Sequence, residues 1–333
     1  MPRPRKTLVS LDATPYYHCV SRCVRRAFLC GEDSHSGRSF EHRRQWIENR
    51  LLEVASVFAI DIAAYAIMSN HYHVVLHVDS EQANTWTDEH VANRWMQLFH
   101  GDQLSQRYSR GENLTKAELK AVLKRITVWR ERLQSISWFM RCVNEPIARE
   151  ANREDQVTGH FWEGRFRSQA LLDEKALAAC LAYVDLNPIR ACMAETPESS
   201  DYTSVKRRIE QVLTTQLPNR IDQQPVGLMP FAGNPREPMP KGLPFRLTDY
   251  LELVDWSGRI IREDKKGAIP EHLPVILNRL NMDASNWLYL TRNFESPFKH
   301  LVGAAHNIRN ACESLGKCWA HGISQCERLF SSG

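Results

Sequence analysis

The most informative run in this chain is Asn70-His71-Tyr72-His73-Val74-Val75-Leu76-His77-Val78, in which two histidines flank one bulky residue and apolar residues alternate. Successive side chains on a β-strand project to opposite faces, so His71 and His73 are expected side by side, roughly 6–7 Å apart along the strand. His77 shares their face but is expected about 13 Å beyond them, too far to join the same site. The opposite face is predicted to pack into a core and consists of Tyr72, Val74, Leu76 and Val78.

This paired-histidine strand has two interpretations. Two imidazoles on one face can bind a metal ion and present it to a ligand that approaches from outside the sheet. Alternatively, both histidines are simply polar residues on the exposed face of a half-buried strand. The strand alone does not decide between the two, so the rest of the chain matters.

Size and charge permit a nucleic acid partner without requiring one. The 333 residues can bury a sizeable core and predict about two domains. The formal net charge is +4, and arginines are concentrated in the first fifty residues. Arginine forks match phosphate oxygens better than lysine does, although an ordinary solvated surface is the alternative. The arginines in question are Arg3, Arg5, Arg22, Arg25, Arg26, Arg38, Arg43 and Arg44.

The expected compartment follows from the missing apolar segments and from the cysteines. Met1-Pro2-Arg3 is not followed by an apolar run, and no run approaches about 18 apolar residues, so neither a signal peptide nor a membrane span is expected. Nine cysteines, an odd number scattered through the chain, are typical of reduced thiols. We therefore expect a cytoplasmic, nucleoid-associated protein with no membrane partner.

The first part of the chain predicts a β-α-β-β unit followed by an insertion. Residues 14–24 and 59–68 predict strands, and residues 40–57 between them have helical apolar spacing. Residues 80–135 change to polar, helix-prone sequence that we interpret as a helical insertion with a basic side. Residues 136–152 predict a further amphipathic helix.

One more strand and helix complete the predicted unit. Residues 160–172 predict a strand with a glycine bend. Residues 173–187 predict a helix that ends at Asn187-Pro188, because the residue before proline disfavours the helical conformation. The layout predicts an α+β fold in which an antiparallel sheet has helices packed on one face.

We divide the chain into three parts. Residues 1–215 form the predicted catalytic domain, including the insertion. Residues 216–244 contain seven prolines and predict a linker or an extended wrapping segment. Residues 245–333 are predicted to be a mostly helical region of unknown role, without a catalytic pattern. Helices are expected there at residues 250–262, 272–280 and 298–315.

Two residues near the end of the 173–187 helix are candidates to complete the site. Tyr183 and Asn187 are four residues apart and therefore lie one above the other on one helix face. A phenol oxygen beside a metal-bound phosphodiester is a credible nucleophile, and an asparagine amide oxygen is a neutral ligand for the same ion. A helical tyrosine is more commonly a packing residue, so its assignment as a nucleophile depends on the other motifs in the chain.

Four motifs follow one another along the chain, and the last of them contains Tyr183. They are Tyr17-His18-x-x-Ser21-Arg22, Ala66-Ile67-Met68-Ser69-Asn70-His71-Tyr72-His73, Gly159-His160-Phe161-Trp162-Glu163-Gly164-Arg165-Phe166-Arg167-Ser168 and Tyr183-Val184-Asp185-Leu186-Asn187-Pro188-Ile189-Arg190-Ala191. Together they resemble the IS200-like single-tyrosine (Y1) transposases of the HUH class, in particular the branch of REP-associated tyrosine transposases. The resemblance spans about residues 14–205, interrupted by the insertion. It implies a ferredoxin-like palm with Tyr183 as nucleophile and with His71, His73 and Asn187 as metal ligands.

The chain departs from the family pattern at two places. The residue between the histidines, usually a medium aliphatic, is Tyr72, whose hydroxyl must find a partner. The helical insertion and the long C-terminal region exceed the compact family domain. They leave the DNA target and the oligomeric state, monomer or homodimer, open.

The resemblance implies metal-dependent cleavage of single-stranded DNA and strand transfer through a 5′-phosphotyrosine intermediate, the chemistry of DNA transposition. One divalent ion, Mg²⁺ or Mn²⁺, would polarise the scissile phosphate while the tyrosine attacks. Two imidazoles and an amide favour Mn²⁺ by ligand type, and phosphate and water oxygens would make Mg²⁺ workable. The sequence does not name a base for the phenol.

Single-stranded or hairpin DNA is the predicted partner. Arginines and aromatic rings combine charge with surfaces on which bases can stack. Two other functions are compatible with the sequence: a domesticated protein that binds hairpin DNA or RNA without turnover, and a metal-dependent phosphodiesterase that uses water, with Tyr183 merely structural. The candidate DNA-binding residues are Arg22, Arg25, Arg26, Trp162, Arg165, Phe166 and Arg167.

Overall fold

The structure, a computed structural model, describes most of the chain. The described residues are 9–24, 29–32, 37–233, 239–262, 274–317 and 320–330. The candidate DNA-binding residues Arg25 and Arg26 lie outside them.

The first half of the chain alternates strands and helices. In chain order the elements are β1 (Tyr16–Arg22), α1 (His42–Val57), β2 (Ile60–Ile67), β3 (His71–Val78), α2 (Ser80–Thr85), α3 (Asp88–Leu98), α4 (Gln103–Ser109), α5 (Lys116–Leu133), α6 (Ile136–Glu154) and β4 (Arg167–Leu171). The predicted strands and helices are all present, and the 80–135 segment is helical. The last strand is shorter than predicted, because residues 160–166 are irregular, apart from one isolated bridge between Trp162 and Cys23.

The second half is mostly helical. Its elements are α7 (Glu174–Asp185), α8 (Asn187–Arg190), α9 (Ser204–Val212), α10 (Leu247–Arg262), α11 (Val275–Leu280), α12 (Ala284–Asn293), β5 (Leu301–Val302), α13 (Ala305–Ser314) and α14 (Ile323–Phe330). The predicted helix at residues 298–315 is wrong in its first part. Leu301 and Val302 instead pair with β4, and the helix begins at Ala305.

One five-stranded sheet organises the fold, in the order β2-β3-β1-β4-β5. β1 lies between β3 and β4 and is antiparallel to both, and β2 is antiparallel to β3. β5 adds a short parallel strand beside β4. The first four strands, with α1 and α6 as their crossovers, have the connectivity of a ferredoxin-like unit. The α+β class is therefore confirmed.

Helices α1 and α6 pack on the face of the sheet that bears Tyr72. The Tyr72 hydroxyl donates a hydrogen bond to Asn144 Oδ1 of α6 at 2.7 Å, which supplies the partner that this unusual middle residue needs. On the same face, the Tyr65 hydroxyl donates to Glu48 Oε1 of α1 at 2.5 Å. Two of the predicted helices therefore form a layer on this face, and the third, at residues 173–187, packs on the opposite face.

The opposite face, which bears the histidines, is covered by α7. This helix begins at Asp173, whose side chain accepts a hydrogen bond from the Ala176 backbone N–H. α12, from the C-terminal region, packs in turn against α7. The histidine face of the sheet is therefore covered by α7 and, behind it, by α12, which is distant in the sequence.

The described part of residues 216–244 packs against the sheet as a wrapping segment. The Met229 backbone N–H donates to the Ile62 carbonyl of β2 at 2.8 Å. Gln224 exchanges two hydrogen bonds with the Phe231 backbone, at 2.9 and 2.7 Å, and Phe231 is fully buried. The sequence allowed either a linker or an extended wrapping segment here, and these contacts fit the wrapping segment.

Two further expectations concern membrane spans and cysteines. Within the described ranges, no helix combines the length and the apolar character that crossing a bilayer requires. The eight cysteines in the same ranges form no disulfide with one another, and all except Cys192 are buried.

Candidate active site

The predicted site residues meet between β3 and α7. The rings of His71 and His73 lie on one face of β3 with centroids 4.8 Å apart. Tyr183 on α7 lies over this face, and its ring centroid is 5.8 Å from that of His73. His77 instead contacts Asp61 Oδ2 at 3.0 Å, away from the pair. The structure therefore brings both histidines and the tyrosine together, while their chemical roles remain predictions.

Asn187 lies at the start of α8 and is buried. Among the described residues, its Nδ2 atom has no hydrogen-bond partner, and neither does Nε2 of the fully buried His73. Within the described residues, no hydrogen bond joins the Asn187 amide to either histidine of the pair. Buried polar atoms without partners are uncommon in folded proteins, and an ion or ligand is one way of satisfying them.

A third histidine, which the sequence analysis did not assign to the site, completes the imidazole cluster. His18 on β1 places Nε2 at 2.9 Å from His73 Nδ1, and the two rings are stacked with centroids 5.2 Å apart. His18 belongs to the first of the four motifs. Its position could have been found from the sequence once β1 was placed beside β3, because it lies an even number of residues from Arg22, which pairs with His71.

Glu295 is a second unpredicted site residue, and it comes from the turn that follows α12. Its Oε1 atom lies 3.5 Å from His73 Nδ1 and accepts a hydrogen bond from the Tyr183 hydroxyl at 3.3 Å. His18, His73 and Glu295 offer ligand atoms that all lie within 4.8 Å of one another, a group that could hold a metal ion. No sequence motif surrounds Glu295, so only the folded chain identifies it.

Aromatic packing holds the Glu295 turn in place. The neighbouring Phe294 is fully buried, and its ring lies 5.6 Å from the Tyr183 ring and 6.1 Å from the His18 ring. Phe298 packs against Phe294 at 5.7 Å. Just beyond, the Ala170 backbone N–H donates to the His300 carbonyl at 2.8 Å, beside the β4–β5 pairing. The carboxylate is therefore held from both sides against the imidazoles.

Burial determines the protonation of the site. It lowers the pKa of His18 and of His73, and burial with the nearby Arg22 charge lowers the pKa of His71 to about 4. All three imidazoles are neutral near pH 7, which is the form that binds metals. Burial, and then the charge of Glu295, raise the pKa of Tyr183 above its usual value. Near pH 7 the phenol is therefore protonated.

Arg190 positions the tyrosine from the other side. Its guanidinium lies 3.9 Å from the centroid of the Tyr183 ring. One of its nitrogens donates to the carbonyl of Tyr183 at 2.6 Å and to the carbonyl of Thr291 at 2.9 Å. Arg190 therefore ties the end of α7 to α12, in a geometry that fits a cation–π contact.

Three of the predicted DNA-binding arginines border one cavity beside this cluster. On the histidine face, Arg22 pairs with His71, and Arg167 pairs with Val20, itself opposite His73. Both arginine side chains are exposed. A cavity of about 200 Å³ opens there, lined by Val20, Arg22, Glu163, Gly164, Arg165, Arg167 and Glu295.

The two predicted aromatic stacking residues are engaged in packing. Trp162 donates from Nε1 to the Asn144 carbonyl at 2.8 Å, and its ring lies 5.8 Å from that of Tyr72, which points to the opposite face from the histidines. Phe166 is buried. These contacts give both rings a structural explanation, and their role in binding DNA stays a prediction.

Comparisons with known proteins add a distant likeness of fold. No protein-family model matches the chain, and no curated protein matches it. A matching solved structure is a REP-associated tyrosine transposase bound to a REP hairpin, with 12% sequence identity and a TM-score of 0.35. The match covers 60% of this chain and 80% of that one. A likeness this distant carries no conclusion about activity.

Proposed function

We propose that this protein is a metal-dependent single-stranded DNA endonuclease and strand transferase of the kind that performs DNA transposition, with Tyr183 as the nucleophile. The observation that carries the proposal is the position of the Tyr183 ring, 5.8 Å from His73 and 6.2 Å from His18. A phenol is thereby placed beside a cluster whose side chains could hold a metal ion. The four ordered motifs support the same function.

The reaction follows from this placement. The Tyr183 oxygen attacks the scissile phosphorus as the phenol gives up its proton, and the bond from phosphorus to the 3′ oxygen breaks. The 3′ oxygen takes up one proton and leaves as a hydroxyl, so the number of protons is unchanged. The product is a 5′-phosphotyrosine that retains the energy of the phosphodiester. Attack by the 3′ hydroxyl of another strand then releases Tyr183, so rejoining requires no ATP.

A divalent ion, Mg²⁺ or Mn²⁺, is the proposed cofactor, and when bound it would stabilise charge on the non-bridging phosphate oxygens. His73 is common to two sets of candidate ligands. The set proposed from the sequence adds His71 and Asn187, and the buried His73 Nε2, which has no hydrogen-bond partner among the described residues, fits it. Asn187 would bind through its amide oxygen, since its Nδ2 atom can only donate. The other set adds His18 and Glu295. The proposed reaction requires only that one ion lie beside Tyr183.

The proposed substrate is a single strand beside a hairpin. Arg22, Arg165 and Arg167 surround the cavity that reaches Glu295, and their forks suit backbone phosphates. In-line attack by Tyr183 on a phosphate beside this face suits one splayed strand, because α7 and the turn after α12 already cover the face. A DNA substrate would place the protein at the nucleoid.

The test is a denaturing-gel assay for a covalent protein–DNA adduct. Single-stranded hairpin oligonucleotides from the flanks of the gene are incubated with Mn²⁺ or Mg²⁺ and with wild type or Tyr183→Phe protein. We expect an adduct that requires the metal and is absent with Tyr183→Phe. Cleavage by both proteins without an adduct would instead indicate a phosphodiesterase that uses water.

A domesticated binder of hairpin DNA or RNA is the second candidate function. It is favoured by the raised pKa of Tyr183, whose hydroxyl donates to Glu295 instead of lying free for attack. In the same assay this candidate predicts binding of the hairpins without cleavage, with either metal.

A further inference from the structure

We propose that the C-terminal region completes the metal centre, with Glu295 binding the divalent ion together with His18 and His73. The role of that ion in DNA cleavage rests on the proposed function. The site itself is defined by the positions of three side chains from β1, β3 and the turn after α12. It differs from the ligand set expected from the sequence, in which Asn187 is the third ligand.

The distances between the ligand atoms are those of a coordination shell. His18 Nε2 lies 2.9 Å from His73 Nδ1, which lies 3.5 Å from Glu295 Oε1. An ion with bonds of about 2.0–2.2 Å has adjacent ligand atoms roughly 3.0–3.5 Å apart in octahedral or tetrahedral geometry. Two of the three distances between the ligand atoms are therefore already close to those of a coordination shell.

A hydrogen-bond chain orients the His18 ring for binding. Gln169 Nε2 donates to the Phe298 carbonyl at 3.0 Å, so its Oε1 atom is the one that faces His18 Nδ1 at 2.9 Å. An amide oxygen only accepts, and Nδ1 of His18 must therefore carry the proton. His18 Nε2, which faces His73 Nδ1, then carries the lone pair that a bound ion would use. Metal-binding histidines are commonly oriented in this way through their second nitrogen.

Charge favours Glu295 over Asn187 as the third ligand of the proposed ion. Within the described residues, no Lys or Arg nitrogen lies within 4.0 Å of the Glu295 carboxylate, whose one ion-pair contact there is with His73. A divalent cation would offset this negative charge among neutral imidazoles, whereas His71, His73 and Asn187 offer no anionic ligand. The Glu295 side chain is 28% exposed and borders the arginine-lined cavity, which provides a path of entry.

The donor set predicts which ion binds. Two imidazoles and one carboxylate suit Mn²⁺ better than Mg²⁺, because nitrogen ligands favour first-row transition metals. We therefore expect Mn²⁺ to bind more tightly than Mg²⁺ to the DNA-free protein.

The test is a titration of the metal-free full chain with Mn²⁺, in which the unbound ion is measured by electron paramagnetic resonance without DNA. We expect one Mn²⁺ per chain and an affinity at least about tenfold lower in Glu295→Gln. Glu163→Gln is the matched control, because Glu163 lines the same cavity but lies outside the cluster. Its Mn²⁺ affinity, and that of Asn187→Ala, are expected to change less than about twofold. Circular dichroism verifies that each variant is folded.

Three results would overturn the inference. They are absence of Mn²⁺ binding by the wild type, equal losses in Glu295→Gln and Glu163→Gln, and a loss in Asn187→Ala without one in Glu295→Gln. The last would support the ligand set expected from the sequence.

A second arm separates this inference from the proposed function. The adduct assay is run on the wild type in parallel. If Mn²⁺ binding depends on Glu295 but no DNA forms an adduct, the proposed metal site is supported and the proposed strand-transferase function is rejected. If an adduct forms while Mn²⁺ binding is independent of Glu295, the transferase stands and the Glu295 ligand does not.

Discussion

The two faces of β3 differ in how their buried polar groups are satisfied. On one face, the Tyr72 hydroxyl donates to Asn144 Oδ1, and Asn144 Nδ2 donates in turn to Ser21 Oγ at 2.9 Å. On the other face, His73 Nε2 and Asn187 Nδ2 are buried without a hydrogen-bond partner in the part of the chain that the structure describes. Both faces contain a tyrosine hydroxyl, and only one of them lies beside a cluster that could hold a metal ion.

This difference separates stabilising polar groups from candidate functional ones. A buried hydrogen bond whose partners are both satisfied contributes modestly to stability and specifies the packing. Buried polar atoms without partners cost free energy, and a fold retains them where a ligand later satisfies them. The Tyr72 face should therefore respond to substitution through stability, and the histidine face through metal binding and DNA chemistry.

The largest expected effect is that of Tyr183→Phe. The variant removes the nucleophile, so covalent adduct should fall by at least about 10³-fold. The free energy of unfolding should change by less than about 1 kcal/mol, since only the 3.3 Å contact with Glu295 is lost. Gel quantification and urea denaturation measure the two quantities. A strongly destabilised Tyr183→Phe would place this tyrosine with the structural groups and erase the contrast between the faces.

The second prediction concerns the pH dependence of stability. Burial lowers the pKa of His71 to about 4 in the folded protein, against an ordinary value of 6.5, so the unfolded chain binds the proton more tightly. The contribution of His71 to the free energy of unfolding is fully present above about pH 6.5. It is lost as the pH falls towards 4, which lowers the free energy of unfolding by about 3 kcal/mol. Urea denaturation in EDTA from pH 4 to 7 measures it.

His71→Gln is the variant that isolates this contribution. Its stability should decline less steeply than that of the wild type between pH 6.5 and 4, because His18 and His73 still contribute with the same sign. Identical pH curves for the two proteins would show that His71 is not buried as the structure has it.

The third prediction is made for the opposite face. Tyr72→Phe leaves Asn144 Oδ1 without its donor at 2.7 Å and should destabilise the protein by about 1–2 kcal/mol. Mn²⁺ affinity and adduct formation should stay at wild-type levels. Because Tyr183→Phe removes the same hydroxyl on the other face, the two variants form a matched pair. A loss of Mn²⁺ affinity in Tyr72→Phe would mean that the faces are coupled.

The smallest expected effect is that of Arg22→Ala on DNA binding. Removing one phosphate contact should weaken hairpin binding several-fold and lower the slope of log affinity against log salt by about 1. Fluorescence anisotropy at several salt concentrations measures both. Lys120→Ala on α5 is the control, an exposed cation in the helical insertion. Equal effects of the two substitutions would indicate general attraction by positive charge instead of a specific contact at the cavity.

The sequence predicted much of the fold because the relevant patterns are local. Alternation along residues 71–78 predicted that Tyr72 projects to the face opposite the two histidines, and it does. It did not predict that the histidine face is buried as well, because helices from elsewhere in the chain cover it. The β-α-β-β order and the helix that carries Tyr183 follow from apolar spacing and helix-end signals. The error at residues 298–315 is also local in origin. A two-residue strand is too short to leave a pattern, and its pairing with β4 is a tertiary contact.

By itself, the sequence determined the strand that presents His71 and His73 and the helix that carries Tyr183, because periodicity is set within one element. The tertiary structure alone decided which further side chains join them. His18 reaches His73 through the pairing of β1 with β3. Glu295 reaches Tyr183 across 112 residues of chain because α12 packs on α7 and β5 pairs with β4. Such contacts depend on how elements are arranged in space, which no local spacing encodes.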